Sequence, residues 1–211
     1  MKPDPLPLPP DNPDRLASFP AVPKDRIPNV LYRIHQMKQQ PEFFSTSPER
    51  NRWDPPVGSP GLYGTCYTST SPLGAYAEVL GDLDVITQGM VDRRALSVIE
   101  VPAEPRWADM TEPSILGQWG LDVRISVADH KVCQRWGEAL FSVGFTGVYY
   151  QPRHVIGRGW EASVAIFGDP GHQPTKLRVL DTTPIPLDVV NEATMTFGLE
   201  VWPSTPLGPS G

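Results

Sequence analysis

Hydrophobic and polar positions along this chain mark many short extended runs and two helical stripes. Asn29 to Met37 predicts a short strand carrying Arg33, and the aperiodic polar stretch Phe43 to Pro60 predicts a loop carrying Arg52. Leu62 to Thr68 is short, aromatic and apolar, which predicts a strand that holds Tyr67. Ser71-Pro72 then supplies a helix cap followed by proline at the first helical position. Leu73, Ala77 and Leu80 recur at helical spacing, leaving Glu78 beside the core stripe, and Gly81 ends the helix.

Further along, Ala95 to Pro102 is rich in β-branched residues and predicts a strand, whereas Ala103 to Val127 reads as loop-rich. The strongest helical stripe is Val132, Cys133, Trp136, Ala139, Leu140 and Val143, capped by Asp129 and stopped by Gly144. Strands are predicted at Gly147 to Tyr150, Ala162 to Phe167 and Lys176 to Leu180. A last one, Thr194 to Trp202, places Met195, Phe197, Leu199 and Val201 on one face. Few helices among many short strands, without regular βαβ alternation, predict an α+β fold. No GxGxxG or GxxxxGK[ST] is present, which disfavours dinucleotide-binding parallel sheets and P-loops.

Composition changes this picture at the ends. Nine of the 26 prolines lie in residues 1 to 28. Each fixes φ and removes a backbone donor, so that stretch is expected as a proline-rich, surface-hugging or mobile arm. The main domain is expected over 29–202, with a fraying Pro/Gly/Ser tail at 203–211. A net charge of −6 disfavours general nucleic-acid binding, which depends on many Lys and Arg contacts to phosphate. An anionic ligand must then be met by locally concentrated arginine. Cys66 and Cys133 form no CxxC pair and read as reduced thiols. With no signal-peptide core and no apolar run long enough to span a bilayer, the expectation is a cytoplasmic location and no membrane partner. His35, His130 and His172 lack metal-ligand spacing, so no metal is expected.

The chemistry-bearing residues are Arg33 in Tyr32-Arg33-Ile34, Arg52 in Arg52-Trp53-Asp54-Pro55-Pro56, and Glu78 in Ala75-Tyr76-Ala77-Glu78-Val79-Leu80. Planar guanidinium groups can clamp a pyrophosphate by paired hydrogen bonds, and a carboxylate can hold a ribose hydroxyl and stabilise positive charge on the sugar. That combination points to NAD. Each residue has a plainer reading: Glu78 as a solvated helix carboxylate, Arg33 as a buried pair with Glu78 or Asp54, Arg52 as a surface cation and Tyr67 as core.

The joint order of these segments, with Gly61-Leu62-Tyr63, Cys66-Tyr67-Thr68-Ser69, the Ala95 to Val101 strand and Gly144-Phe145-Thr146-Gly147-Val148-Tyr149-Tyr150, resembles the RES domain from about Tyr32 to Phe167. The resemblance implies an ADP-ribosyltransferase-like fold of short, mostly antiparallel strands in two packed sheets with a few flanking helices. It implies a toxin that consumes NAD, neutralised by an Xre-type antitoxin. Arg33 and Glu78 would be catalytic, and Arg33, Arg52, Tyr67, Gln151 and Arg153 would bind NAD, which is the substrate; no separate cofactor is implied. His154 beside Arg153 is a further candidate for the acceptor side. The family has a Tyr-x-Ser-Arg type segment where this chain reads Tyr150-Gln151-Pro152-Arg153, so its hydroxyl position falls on Gln151 or Pro152. Ser163 substitutes only if the fold carries it there. The implied reaction is cleavage of the nicotinamide-ribose bond with phosphate or water as acceptor. Alternatives are a protein mono-ADP-ribosyltransferase and a nucleotide-binding module without turnover.

Overall fold

The computed structural model describes residues 5–59, 61–153 and 161–203. In chain order the elements are α1 (Pro13–Ala17), β1 (Val30–Gln36), β2 (Phe43–Phe44), β3 (Gly64–Ser69), α2 (Pro72–Leu80), β4 (Ile86–Thr87), α3 (Gln88–Asp92) and β5 (Arg94–Glu100). They continue with β6 (Trp107–Met110), α4 (Pro113–Gln118), α5 (His130–Ser142), β7 (Gly147–Tyr150), β8 (Ser163–Gly168), β9 (Gly171–His172), β10 (Val179–Pro184), α6 (Leu187–Phe197) and β11 (Val201–Trp202). No helix among the described residues is long and apolar enough to cross a membrane.

Seven strands form one sheet in the order β10-β5-β1-β3-β8-β7-β6, antiparallel except for the parallel β6–β7 pair. The expectation of two packed sheets is therefore corrected. The sheet nevertheless has two halves, because β1 and β3 register at a single pair, Tyr32↔Ser69, whereas β1 and β5 register over seven. A sheet held by full ladders on both sides of a near-open seam places backbone from two strands at the edges of one cleft. Two short pairs, β11–β4 and β2–β9, form separate ladders, and Ser45, directly after β2, bridges Thr65 of β3.

Apolar clusters cover the sheet. Trp136, Leu140 and Cys133 of α5 pack with Trp53, Tyr63, Phe145 and Tyr150, while Leu73, Tyr76 and Leu80 of α2 pack with Val189, Val190 and Ala193 of α6. The second cluster explains why the strand expected at Thr194 to Trp202 is reduced to β11 (Val201–Trp202). Val189, Val190 and Ala193 make a helical stripe that covers α2, and the helix ends at left-handed Gly198, whose N–H bonds Thr194 O. The alternation that suggested a strand thus falls across a helix end, and Met195 is exposed. In the same way the loop-rich reading of Ala103 to Val127 misses β6, all four of whose residues are buried. The strand expected at Lys176 to Leu180 begins three residues later and forms the exposed edge, β10.

The proline-rich N-terminal stretch is built into the core over its described residues. Asn12 caps α1, and Leu16, Phe19 and Val22 are buried. Ala21 bridges Ala108, Pro7 O accepts from Trp136 Nε1, and Arg26 bonds buried Asp109 at 2.6 Å. The segment covers the β6 edge of the sheet, where ladder groups would otherwise lack partners.

Candidate active site

The seam between β1 and β3 opens into a cavity of about 470 Å³, lined by Arg33, Arg52, Tyr67, Glu78 and Arg153 among others. That volume lies within the range of small-molecule sites, about 300–1,000 Å³. Five of the six residues to which the resemblance gives a catalytic or NAD-binding role therefore share one cavity. Gln151, just beyond β7, is not among its lining residues, and His154 lies outside the described residues.

Glu78 is placed by α2. Ser71 Oγ caps the helix by accepting from Gly74 N at 2.9 Å, and Ser71 in turn donates to buried Glu161 at 2.7 Å. Gly74 is required there because a Cβ would stand 2.3 Å from Ser69 Oγ and 2.5 Å from Glu161 Oε2. Leu73, Ala77 and Leu80 lock the helix against the core, so Glu78 projects from its flank into the cavity. Its Oε1 accepts from Tyr150 Oη at 2.6 Å, and Ser163 Oγ stands 3.5 Å from Oε2. Tyr150 and Ser163 face each other across the β7–β8 ladder. Burial, and then the neighbouring Glu78 charge, push the Tyr150 phenol far above its ordinary range, so it remains a donor. The fold thus does carry Ser163 to the carboxylate, where Gln151 and Pro152 supply no hydroxyl.

Arg33 projects from β1 into the seam, where its Nη1 donates to Pro41 O at 2.7 Å and Phe43 O at 2.8 Å and also meets Cys66 Sγ. It pairs with neither Glu78 nor Asp54. Backbone carbonyls orient a guanidinium without neutralising it, so the cation stays available to an anion in the cavity. Burial pushes the Cys66 thiol up, with Arg33 opposing.

Arg52 sits on a loop organised by Asp54. That carboxylate is fully buried and accepts from Ser45 Oγ at 2.8 Å, Ser47 N at 2.5 Å, Asn51 Nδ2 at 2.9 Å and Tyr67 Oη at 2.8 Å. Tyr67 also accepts from Trp53 N at 2.9 Å. The Arg-Trp-Asp-Pro motif therefore folds on its own aspartate, and Arg52 is directed to Ala128 O at 2.5 Å, beside His130. Burial first and Asp54 second raise the Tyr67 phenol well above its usual value. Tyr67 lines the cavity while serving as this loop's anchor. Ser45, Ser47, Asn51, Tyr150 and His130 also line the cavity or hold those that do, and were not anticipated. A Ser- and Asn-rich loop before Asp54 was the available signal, since these residues bond local backbone and carboxylates.

Arg153 forms an ion pair with Asp82, both half-exposed at the cavity. Chemically, the site offers one carboxylate held by a phenol, several guanidinium groups, and a floor closed by the sheet.

Comparison with known proteins agrees with this architecture. The RES domain model matches residues 30–189, and the chain belongs to that family. The search of curated proteins gives no significant match. Among solved structures, a chain of the M. tuberculosis MbcT–MbcA toxin-antitoxin complex is similar at 17% sequence identity and a TM-score of 0.64. The match covers 87% of this chain and 97% of that one. At that identity the likeness is one of fold.

Proposed function

We propose that this protein is the toxin of a toxin–antitoxin pair and that it destroys NAD by cleaving the nicotinamide-ribose bond. The observation that carries the reading is the convergence of Glu78 with Arg33, Arg52 and Arg153 on one cavity. RES membership and a fold shared with a chain of a toxin-antitoxin complex support it. The same likeness supports an antitoxin protein as partner; that this antitoxin is of Xre type and that the fold is ADP-ribosyltransferase-like are part of the proposal.

In the reaction the C1–N bond to nicotinamide breaks and its electron pair leaves with the neutral base, so no strong acid is required. Positive charge then spreads over C1 and the ring oxygen of the ribose. Glu78, oriented by Tyr150 and Ser163, accepts from a ribose hydroxyl and places negative charge beside that developing cation. Arg33 and Arg52 hold the pyrophosphate and keep the sugar fixed while the base departs. An oxygen of phosphate or water forms the new bond to C1; with water a proton is released.

Incubation with NAD, with and without phosphate, tests this. ADP-ribose-1″-phosphate formed only with phosphate identifies phosphorolysis, and ADP-ribose identifies hydrolysis. Label transferred to protein identifies an ADP-ribosyltransferase instead, and unchanged NAD in both arms refutes turnover. Glu78→Gln should abolish cleavage while the folded protein keeps its melting profile.

A further inference from the structure

One end of the cavity gathers Arg52, Arg153, Asp82 and His130, each from a different part of the chain. Arg52 comes from the loop before β3, Asp82 follows α2, Arg153 follows β7, and His130 is the first residue of α5. Its cap Asp129 is the other charge near the imidazole, and Lys131 follows on the same helix. Among the described residues, the His130 ring makes no hydrogen bond or ion pair, although it lines a cavity built for polar groups.

With His130 neutral, the charges of the described residues acting on the imidazole cancel: Arg52 and Arg153 are offset by Asp82 and Asp129. The Arg153–Asp82 pair already spends one guanidinium on a carboxylate. A pyrophosphate held between Arg33 and Arg52 would bring negative charge against this end, where the described charges around the imidazole sum to zero. Among the described residues at this end, the one group able to gain charge near neutral pH is His130. Without ligand, burial first and the Arg52 cation second keep its pKa below the usual histidine value. Both influences are reversed or offset when an anion arrives.

We propose that His130 is a proton-linked contact for the pyrophosphate of the bound dinucleotide: the imidazole takes up one proton as the anion enters, and donates to a phosphate oxygen. The inference rests on the nucleotide reading above and adds to it a residue and a pH dependence. Binding then strengthens as pH falls through the window between the imidazole pKa values of the empty and occupied protein. It is constant on either side.

ADP-ribose is the probe, because each of its two phosphates carries one ester and one anhydride link and so a single strongly acidic oxygen whose charge does not change between about pH 5.5 and 8, and any slope belongs to the protein. Calorimetry of the full chain, in buffers of differing ionisation enthalpy, should give an affinity rising up to about tenfold per pH unit on acidification. Proton uptake should approach one per site. His130→Asn should bind with a flat profile and no uptake. His130→Lys, permanently charged, should be flat at an affinity near the low-pH value of the wild type. A pH-independent wild type, or a slope that survives in His130→Asn, overturns the role of His130 and leaves the nucleotide reading standing. Absence of ADP-ribose binding at every pH removes both.

Discussion

Replacing Asp54 with asparagine should unfold the loop that carries Arg52 before it disturbs the sheet. The carboxylate is fully buried and receives four hydrogen bonds, three at Oδ2 and one at Oδ1. An amide has one acceptor oxygen. If that oxygen takes the Oδ2 position, its three bonds become neutral, each weaker by about 1 kcal/mol. The NH₂ then faces Tyr67 Oη, which already accepts from Trp53 N and whose proton loses its acceptor. A buried polar group so stranded costs about 1–3 kcal/mol. Because neighbouring bonds relax together, we expect a net loss of about 3–5 kcal/mol, a large share of the roughly 5–15 kcal/mol of a typical domain. With a urea slope of about 2 kcal/mol/M, the midpoint should fall by about 2 M in a tryptophan-fluorescence melt. Exposed Asp169→Asn is the control and should stay within about 0.5 kcal/mol. An Asp54→Asn midpoint indistinguishable from that control would refute the account of Asp54 as the loop's organising group.

Tyr150→Phe removes the 2.6 Å bond to Glu78 and should lower kcat for NAD cleavage about 10- to 100-fold with little change in KM; an unchanged kcat would show that the phenol does not orient the carboxylate. His35 is buried, with Nδ1 at Gln36 O (2.9 Å) and Nε2 at Ser97 Oγ (2.8 Å), and its pKa is lowered, first by burial. The folded state then binds fewer protons than the unfolded chain, whose imidazole titrates near about 6.5, so stability is full above that pH and declines as pH falls toward the folded value. Urea melts at about pH 7.5 and 5.5 should show this slope, and His35→Gln should reduce it. Phe19→Ala empties a site ringed by Trp119, Trp136 and Phe145 and should cost about 3–5 kcal/mol by thermal or urea melting; a negligible loss would mean the N-terminal segment is not part of the core.

Where local chemistry decides the outcome, the sequence was readable. Ser71-Pro72 and Asp129 specify the starts of α2 and α5 through their own caps, and both helices begin where those residues stand. The Val30–Gln36 strand with Arg33 also followed from its pattern. Other elements depend on partners far away in the chain. β6 has a buried aspartate in a four-residue run, tolerated because Arg26 reaches it from the N-terminal segment. α6 overrides an alternating pattern because its stripe covers α2. At the site, Glu78, Arg33 and Arg52 carried a recognisable chemistry, but their support did not: the phenol of Tyr150, the carbonyls of Pro41 and Phe43, and the Asp54 hub come from separate segments.

Residue types and caps alone determined which segments carry the candidate carboxylate and guanidinium groups, and where the helices α2 and α5 around them begin. Only the three-dimensional arrangement determined that these groups meet. The β1–β3 seam opens after one registered pair, α2 leans its flank over the gap, and β7 and β8 bring Tyr150 and Ser163 under the carboxylate. The physical reason is range: capping and periodicity act within a turn or two, whereas a cavity is made by side chains whose separations along the backbone say nothing of their distance in space.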